Sequence, residues 1–283
     1  MDGFLLVDKP SGWTSFDVVA KVRGILREAR KQELLGVSHL DAVQGSKEER
    51  VSRTNSTVNE RQTTADTAMR QKPASVSSYA GQQGKAVRKI RVGHTGTLDP
   101  LATGLLVLVL GSYTKRAQEL SKLDKTYEVT MKLGQTSSTG DAEGKMTITS
   151  SKKPAPDLIE ATLKSFTGEI DQIPPAFSAI KVGGQRAYKL ARAGKEVKLE
   201  PRRVKVYSIQ LTAYSYPEVK FTAKVSSGTY IRSLVEDIGK KLGTGAHMSA
   251  LRRTSVGNFN VSKALSLSNL DAELIYKNIQ TLP

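Results

Sequence analysis

The sequence has no cysteine and only three histidines. The absence of cysteine excludes disulfide bonds, thiolate nucleophiles and cysteine-ligated metals. His39, His94 and His247 lie far apart in the chain, and no two of them have the spacing typical of metal ligands. We therefore predict that the protein holds no metal.

Long apolar segments are also absent. The longest run, residues 105–110, is far shorter than the roughly 20 residues that a membrane-spanning helix needs, and it predicts a buried strand instead. The N-terminal segment MDGFLLVDKP lacks the basic region and the following apolar region of a signal peptide. We expect a cytoplasmic protein with no membrane partner.

Positive charge is in excess. The chain has 43 Lys and Arg residues against 27 Asp and Glu residues, a formal net charge of +16 and a pI near 9.9. Such an excess attracts polyanions through counterion release and long-range steering. The charge alone leaves two interpretations open, a nucleic-acid partner and a generically basic surface.

The composition changes between residues 36 and 89. From Asp41 to Lys89 there is no Leu, Ile, Phe or Trp, while polar and charged residues are frequent. A segment of this kind buries too little apolar surface to offset the entropy lost on ordering, which predicts a disordered insertion. Both a solvated loop and an additional RNA tether fit it, and the solvated loop is the simpler interpretation.

The ordered part of the sequence mixes strands and helices without a βαβ repeat. Apolar spacing predicts a helix from about Ser15 and further helices at 157–166 and 231–242. Short apolar or alternating patterns predict strands at 3–10, 105–110, 126–133, 202–212 and 219–226. After the helix at 231–242 we expect one short strand and one short helix. The predicted fold class is α+β, with a mixed, mostly antiparallel sheet flanked by helices.

Residues 93–104, GHTGTLDPLATG, carry the most specific chemical signal. Glycines flank His94 and Thr95, which frees the backbone there. Asp99 precedes Pro100 and is therefore biased towards an extended conformation on a rigid loop. Taken alone, an Asp-Pro pair is more often simple turn chemistry than a catalytic group.

Five ordered motifs resemble the TruB-type tRNA pseudouridine synthases. GHTGTLDPLATGLL is similar to the catalytic loop of that family, and LLVDKPSGWTSFDVV to its N-terminal motif. The others are DKTYEVTMKLGQTSSTGDAEG, QIPPAFSAIKVGGQRAYKLARAG and VSSGTYIRSLVEDIGKKLGTGAHMSALRRTSVGNF. The resemblance covers most of the chain outside residues 36–89, and it implies the pseudouridine synthase fold and an RNA enzyme.

The resemblance implies a role for several residues. Asp99 matches the nucleophile, Tyr127 the active-site tyrosine that stacks on the target base, and Arg232 the arginine paired with the aspartate. His94 matches the residue associated with nucleotide flipping. Tyr230 and Leu251 match residues that line the uridine pocket. Without the resemblance, core packing would explain Tyr127, Tyr230 and Leu251, and a surface position would explain Arg232.

Further basic residues are candidates for contacts to the RNA backbone, although a solvated side chain is the simpler interpretation for each one. They are Lys9, Lys181, Arg186, Lys189, Arg192, Arg202, Arg203, Arg252 and Arg253.

The implied organisation is a catalytic domain of residues 1–35 plus 90–270, an insertion at 36–89 and a C-terminal tail at 271–283. Compared with many bacterial members, the short connection before GHTG is replaced by the insertion, and a C-terminal PUA-type domain is absent. The implied reaction isomerises uridine-55 in the T-loop of tRNA, with the T-arm stem-loop as partner, no cofactor and a monomeric enzyme. Two alternatives stay open, a tRNA-binding folding chaperone and a guide-RNA-dependent, dyskerin-like synthase.

Overall fold

The computed structural model describes residues 1–34 and 90–281. The predicted insertion at 36–89 lies outside the described residues. The chain divides into two units. The first consists of Met1–Arg23 and Ile90–Pro283 and carries the elements discussed below. The second consists of Gly24–Lys89, of which the structure describes the end of one helix.

The segment that the sequence analysis singled out, residues 93–104, lies in the first half of the chain. Strand β1 is followed by the long helix α1, which begins with a reciprocal cap in which Thr14 and Asp17 hydrogen-bond each other's backbone N–H groups. The elements up to the middle of the chain are β1 (Gly3–Lys9), α1 (Ser15–Leu34), β2 (Val92–His94), β3 (Thr103–Leu110), α2 (Ala117–Ser121), β4 (Lys125–Leu133), β5 (Gln135–Ser137), β6 (Met146–Ile148), α3 (Pro156–Lys164) and β7 (Gly168–Gln172).

The second half adds two long strands and the second-longest helix of the described chain. Its elements are β8 (Lys181–Val182), β9 (Gln185–Arg186), α4 (Ala187–Arg192), β10 (Arg202–Ser215), β11 (Glu218–Val225), α5 (Ile231–Leu242), β12 (Ala246–Val256), β13 (Phe259–Asn260), β14 (Leu265–Ser266) and α6 (Ala272–Asn278). Two short 3₁₀ helices, Gly111–Arg116 and Val261–Lys263, connect neighbouring elements.

The main sheet has the strand order β14-β1-β3-β12-β4-β11-β10-β7, with β2 paired to β3 and β13 to β12. Only the β1–β14 and β12–β3 pairs are parallel among its described strands. The predicted α+β class with a mixed, mostly antiparallel sheet is therefore confirmed. The parallel pairing of β12 with β3 places residues around position 252 beside the start of β3.

Helices α3 and α5 cover one face of the central strands. Alternate residues of β4 are buried, and the apolar side of α5 (Leu234, Val235, Ile238 and Leu242) packs into the same core as Val129 and Met131 of β4. The core thus lies between α5 and the sheet, and Ile231 in the first turn of α5 belongs to it.

The residues that the sequence analysis set apart as a C-terminal tail pack against the β1 edge. Helix α6 begins at an Asp271 cap and buries Ala272 and Ile275. Gln280 then exchanges two backbone hydrogen bonds with Phe4. No helix among the described residues is long and apolar enough to cross a membrane.

Candidate active site

The segment between β2 and β3, residues 95–102, forms the loop that carries Asp99, and we call it the Asp99 loop. Its first residue bonds to the neighbouring strand through Thr95 N–H and the Val107 carbonyl. A turn closes it, because Ala102 N–H donates to the Asp99 carbonyl at 3.1 Å. The loop is therefore short and bonded at both ends, so its backbone holds the Asp99 carboxylate in one place.

Residues of the N-terminal region bind the backbone of the Asp99 loop. The hydroxyl of Ser15 accepts a hydrogen bond from Leu98 N–H at 2.8 Å and donates to the Leu98 carbonyl at 3.2 Å. The ammonium of Lys9 donates to the carbonyl of Pro100 at 3.1 Å. These contacts fix the backbone on both sides of Asp99, although they come from residues more than 80 positions earlier in the chain.

Arg232, at the start of α5, pairs with Asp99. Its Nε lies 3.0 Å from one carboxylate oxygen, and its Nη2 lies 3.4 Å from the other. The Arg232 side chain is 6% exposed and the Asp99 side chain 33% exposed. The two residues that the sequence analysis placed together are therefore in contact, and the carboxylate is the more accessible partner.

The remaining donors of Arg232 are bonded as well. Nη1 donates to the Thr139 carbonyl at 3.0 Å, and Nη2 donates to the Phe177 carbonyl at 2.9 Å. The buried carboxylate of Asp141 lies 3.7 Å from Nη1. Because the planar guanidinium is bonded along several edges, its orientation towards Asp99 is fixed.

Asp141 is a charged member of this cluster that the sequence analysis did not single out. It lies in the stretch TSSTGDAEG, and its Oδ1 accepts hydrogen bonds from the Thr139 hydroxyl at 2.6 Å and from Glu143 N–H at 3.1 Å. The side chain is about 5% exposed. A carboxylate inside a Thr/Gly-rich turn is a weak signal by itself, because turn chemistry alone explains it.

Two opposing effects set the charge of Asp99. Burial raises the pKa of the Asp99 carboxyl above its ordinary value, and the nearby Asp141 carboxylate raises it as well. The Arg232 guanidinium and the Lys9 ammonium lower it. A carboxylate held partly desolvated beside an arginine is both oriented and reactive, which suits a nucleophile.

Tyr127 of β4 and Leu251 of β12 are both part of the apolar core between the sheet and α5. Each is 8% exposed. They belong to the same apolar cluster as Leu98, which precedes Asp99, and Ile231, which precedes Arg232. A groove of about 600 Å³ beside the Asp99 loop is lined partly by Leu101, Thr103, Leu251 and Arg252.

Tyr230 occupies the N-cap position of α5, one residue before Ile231, and its side chain makes no capping hydrogen bond. Its backbone is fixed by Gln172, whose side chain accepts from Tyr230 N–H at 2.7 Å and donates to the Tyr230 carbonyl at 3.0 Å. Burial raises the pKa of the Tyr230 hydroxyl. The pair of bonds thus connects β7 to the start of the helix that carries Arg232.

His94 ends β2, immediately before the Asp99 loop. Its ring is partly buried, and its Nδ1 has no hydrogen-bond partner among the described residues. Burial and the nearby Arg253 guanidinium lower the pKa of His94. The lowered pKa favours the neutral form of the imidazole at neutral pH. Its role in flipping the nucleotide stays a prediction.

Four of the basic residues proposed for RNA contact have side chains that are at least partly accessible. Lys181 and Arg186 face each other on the β8–β9 hairpin and are exposed, as is Arg202 at the start of β10. Arg252 is partly engaged, because it forms a two-pronged ion pair with Asp8 at 2.7 and 3.1 Å. These four side chains remain candidates for contacts to phosphate.

Two of the proposed RNA contacts are wrong. Lys9 is fully buried, and its ammonium donates to the carbonyls of Pro10, Trp13 and Pro100. Burial lowers its pKa to about 8. Arg253 is only 2% exposed and also donates to backbone carbonyls. Both cations hold the protein backbone, so neither one can reach a phosphate at the surface.

No three Asp, Glu or His side chains within the described ranges 1–34 and 90–281 are grouped so that they could hold a metal ion.

Comparison with known proteins gives two matches to family models. Residues 84–231 match the N-terminal domain of TruB family pseudouridylate synthases, and residues 232–281 match the C-terminal domain of tRNA pseudouridylate synthase B. The first match contains Asp99 and Tyr127, and the second begins at Arg232.

Curated relatives carry the name tRNA pseudouridine synthase B. The protein of Cupriavidus metallidurans is 46% identical over 191 residues, which cover 67% of this chain and 61% of that protein. The Burkholderia lata protein is 49% identical over 64% of this chain and 56% of its own length. The Azoarcus protein is 43% identical over 71% of this chain and 68% of its own length. The matched part of the chain thus spans about three fifths of the length of these relatives.

Solved structures share the fold at lower identity. A chain of a Cbf5-Nop10-Gar1 complex is 27% identical, with a TM-score of 0.56, and the match covers 95% of this chain and 53% of that one. A chain of an H/ACA RNP bound to a substrate RNA containing 2'-deoxyuridine is 26% identical, with a TM-score of 0.54 and coverages of 95% and 52%. Together with the family models and the curated relatives, these matches show that the chain belongs to the TruB family of pseudouridylate synthases.

Proposed function

We propose that this protein isomerises uridine-55 in the T-loop of tRNA to pseudouridine, with Asp99 as the nucleophile. The observation that carries the proposal is the accessible Asp99 carboxylate, held against the buried Arg232 guanidinium at 3.0 Å. Family membership supports the reaction class, and the names of the relatives support tRNA as the substrate.

The reaction is an isomerisation, so its atoms balance without a co-reactant. The bond between N1 of the base and C1′ of the ribose breaks, the base turns, and C5 bonds to C1′. The hydrogen on C5 is lost as a proton, and N1 gains a proton. No electrons are exchanged with an external group, and the proposal therefore includes no cofactor.

In this proposal each site residue has a separate task. Asp99 forms a transient covalent bond to the nucleotide, which divides a difficult step into easier ones. A carboxylate can attack either C1′ of the ribose or C6 of the base, and the proposal includes both routes. Arg232 keeps the carboxylate ionised and oriented. Tyr127 stacks on the base and assists proton transfer, Tyr230 and Leu251 line the pocket, and His94 stabilises the flipped nucleotide.

The proposed partner is the T-arm stem-loop of tRNA, bound by a monomer in the cytoplasm. The catalytic domain is assigned to residues 1–35 and 90–270. Exposed cations, including Lys181, Arg186 and Arg202, would contact the phosphate backbone and position the RNA without reading its sequence.

A guide-dependent activity is the second candidate, because solved structures of similar fold have titles that name a Cbf5-Nop10-Gar1 complex and an H/ACA RNP. Those chains are 26–27% identical to this one, whereas the relatives named tRNA pseudouridine synthase B are 43–49% identical. The higher identity favours direct action on tRNA.

The experiment supplies the purified protein alone with a tRNA transcript that carries tritium at uridine C5. Formation of pseudouridine displaces the C5 hydrogen, so we expect release of tritium and one modified position in the T-loop. A transcript with cytidine in place of that uridine is the matched control and should release none. Binding of the transcript without release would favour the folding-chaperone alternative or a required guide RNA.

A further inference from the structure

Arg253 is the largest fully buried side chain among the described residues, and it is 2% exposed. It lies on β12, directly opposite Tyr127 of β4 and two residues after Leu251. Burying a guanidinium is unfavourable unless its donors are bonded. Because Arg253 is buried, its charge contributes to neither the surface charge nor the solubility of the protein. Its position must be explained by the groups that it binds.

The hydrogen bonds of Arg253 identify what it holds. Its Nε donates to the Leu105 carbonyl on β3 at 2.8 Å, and its Nη2 donates to the Gly96 carbonyl of the Asp99 loop at 3.1 Å. None of the ion pairs between described residues includes Arg253. The guanidinium thus connects the strand after the loop with the beginning of the loop.

The geometry around Arg253 leaves little freedom. The backbone of Gly104 passes so close that a Cβ there would lie 2.3 Å from the Arg253 carbonyl oxygen. Lys9 holds the other end of the loop through the Pro100 carbonyl at 3.1 Å. Asp99 therefore lies between two backbone points, Gly96 and Pro100, each bonded to a buried cation.

We propose that Arg253 is a positioning residue for the reaction. By holding the Gly96 carbonyl, its guanidinium fixes the position of the Asp99 loop relative to β3 and β12, and thus the approach of the Asp99 carboxylate to the ribose. The inference rests on the proposed function, because it assigns Arg253 a task in that reaction. Arg253 acts through the loop and does not touch the nucleotide.

The test measures single-turnover pseudouridine formation and tRNA affinity for Arg253→Met, which preserves most of the side-chain volume and removes the charge and the donors. Misplacing a reacting group by about 1 Å can cost about 100-fold in rate, so we expect a fall of about that size at saturating tRNA. The dissociation constant for tRNA should change by less than about threefold, because phosphate and base contacts are intact. Arg253→Lys, with one donor group, should recover part of the rate.

Lys125→Met is the matched control. Lys125 is also a buried cation that donates to carbonyls, those of Ser121 and Leu123, but neither carbonyl belongs to the Asp99 loop. We expect Lys125→Met to lower thermal stability as Arg253→Met does while it keeps the single-turnover rate within about threefold. Equal rate losses in both variants would reduce Arg253 to a stabilising residue.

The parent protein is measured in the same assay. If the parent forms no pseudouridine, the proposed function fails. If the parent is active and Arg253→Met reacts at the parent rate, the positioning role fails while the function stands. Should Arg253→Met not fold, Arg253→Lys decides: a folded variant with the parent rate overturns the inference, and one with a reduced rate and unchanged tRNA affinity supports it.

Discussion

The buried cations near Asp99 bind backbone carbonyls that are distant in the sequence. Arg232 bonds the carbonyls of Thr139 and Phe177 as well as the Asp99 carboxylate. These partners are 93 and 55 positions away in the sequence. The motifs indicated Asp99 and Arg232, but no local pattern could indicate contacts at such separations. The exposure of Lys9 was predicted wrongly for a related reason, because lysines are seldom buried and its carbonyl partners are not visible in the sequence.

The acid side of the pH–rate profile should depend on Asp141. Asp99 has to be ionised to act as a nucleophile, so activity falls as the pH decreases through its raised pKa. Asp141→Asn removes a negative charge that raises this pKa. We therefore expect the acid limb of single-turnover rate to move to lower pH in the variant.

The control for this prediction is Asp237→Asn. Asp237 lies on the same helix as Arg232 but is partly exposed and paired with Lys240. Its substitution should leave the acid limb in place, since a screened surface charge has little effect. An acid limb that moves to higher pH in Asp141→Asn would contradict the electrostatic account.

At the scale of elements, the sequence predicted the strongly periodic segments well. The helix at Ile231–Leu242 has the predicted bounds, and β10 and β11 begin within a residue of their predicted positions. Strand β12 was underestimated: an 11-residue strand stands where the sequence analysis expected one short strand. Its centre carries consecutive arginines, and the burial of Arg253 conceals the usual alternation of apolar and polar residues.

Gly104 lies where β3 pairs with β12, and the close approach of the two strands predicts that a larger residue there is destabilising. This glycine has φ +99°, and a Cβ would lie 2.3 Å from one backbone atom of Arg253 and 2.7 Å from another. Gly104→Ala should lower the free energy of unfolding by about 2–4 kcal/mol, because backbone strain and steric overlap add. Gly243→Ala is the control: its φ is +67° with open space around it, so we expect only the left-handed backbone cost of about 1–2 kcal/mol. Equal losses in denaturant titrations would contradict the close approach.

At the scale of the whole molecule, the net charge of +16 would attract the proposed tRNA partner before any specific contact forms. Composition alone could not separate a nucleic-acid partner from a generically basic surface. The structure gives the charge a distribution, since Lys181 and Arg186 lie exposed on one hairpin while Lys9 and Arg253 are withdrawn into the protein. Only exposed cations can release counterions on binding.

Salt dependence of tRNA affinity tests that distribution. Removing both hairpin cations, with Lys181→Ala and Arg186→Ala, should reduce the slope of log affinity against log salt by roughly 1 for each lost phosphate contact. The matched control is Lys263→Ala with Lys277→Ala, two exposed lysines elsewhere on the protein. An equal change in slope for both pairs would show that the hairpin makes no special contact.

The central claim is that Asp99 is the nucleophile of a pseudouridine synthase, and Asp99→Asn tests it most directly. The substitution preserves the shape of the side chain and removes the carboxylate. We predict that the parent converts the T-loop uridine of an unmodified tRNA transcript, and that Asp99→Asn binds the same transcript but forms no pseudouridine. Conversion by Asp99→Asn at a rate near that of the parent would contradict the claim.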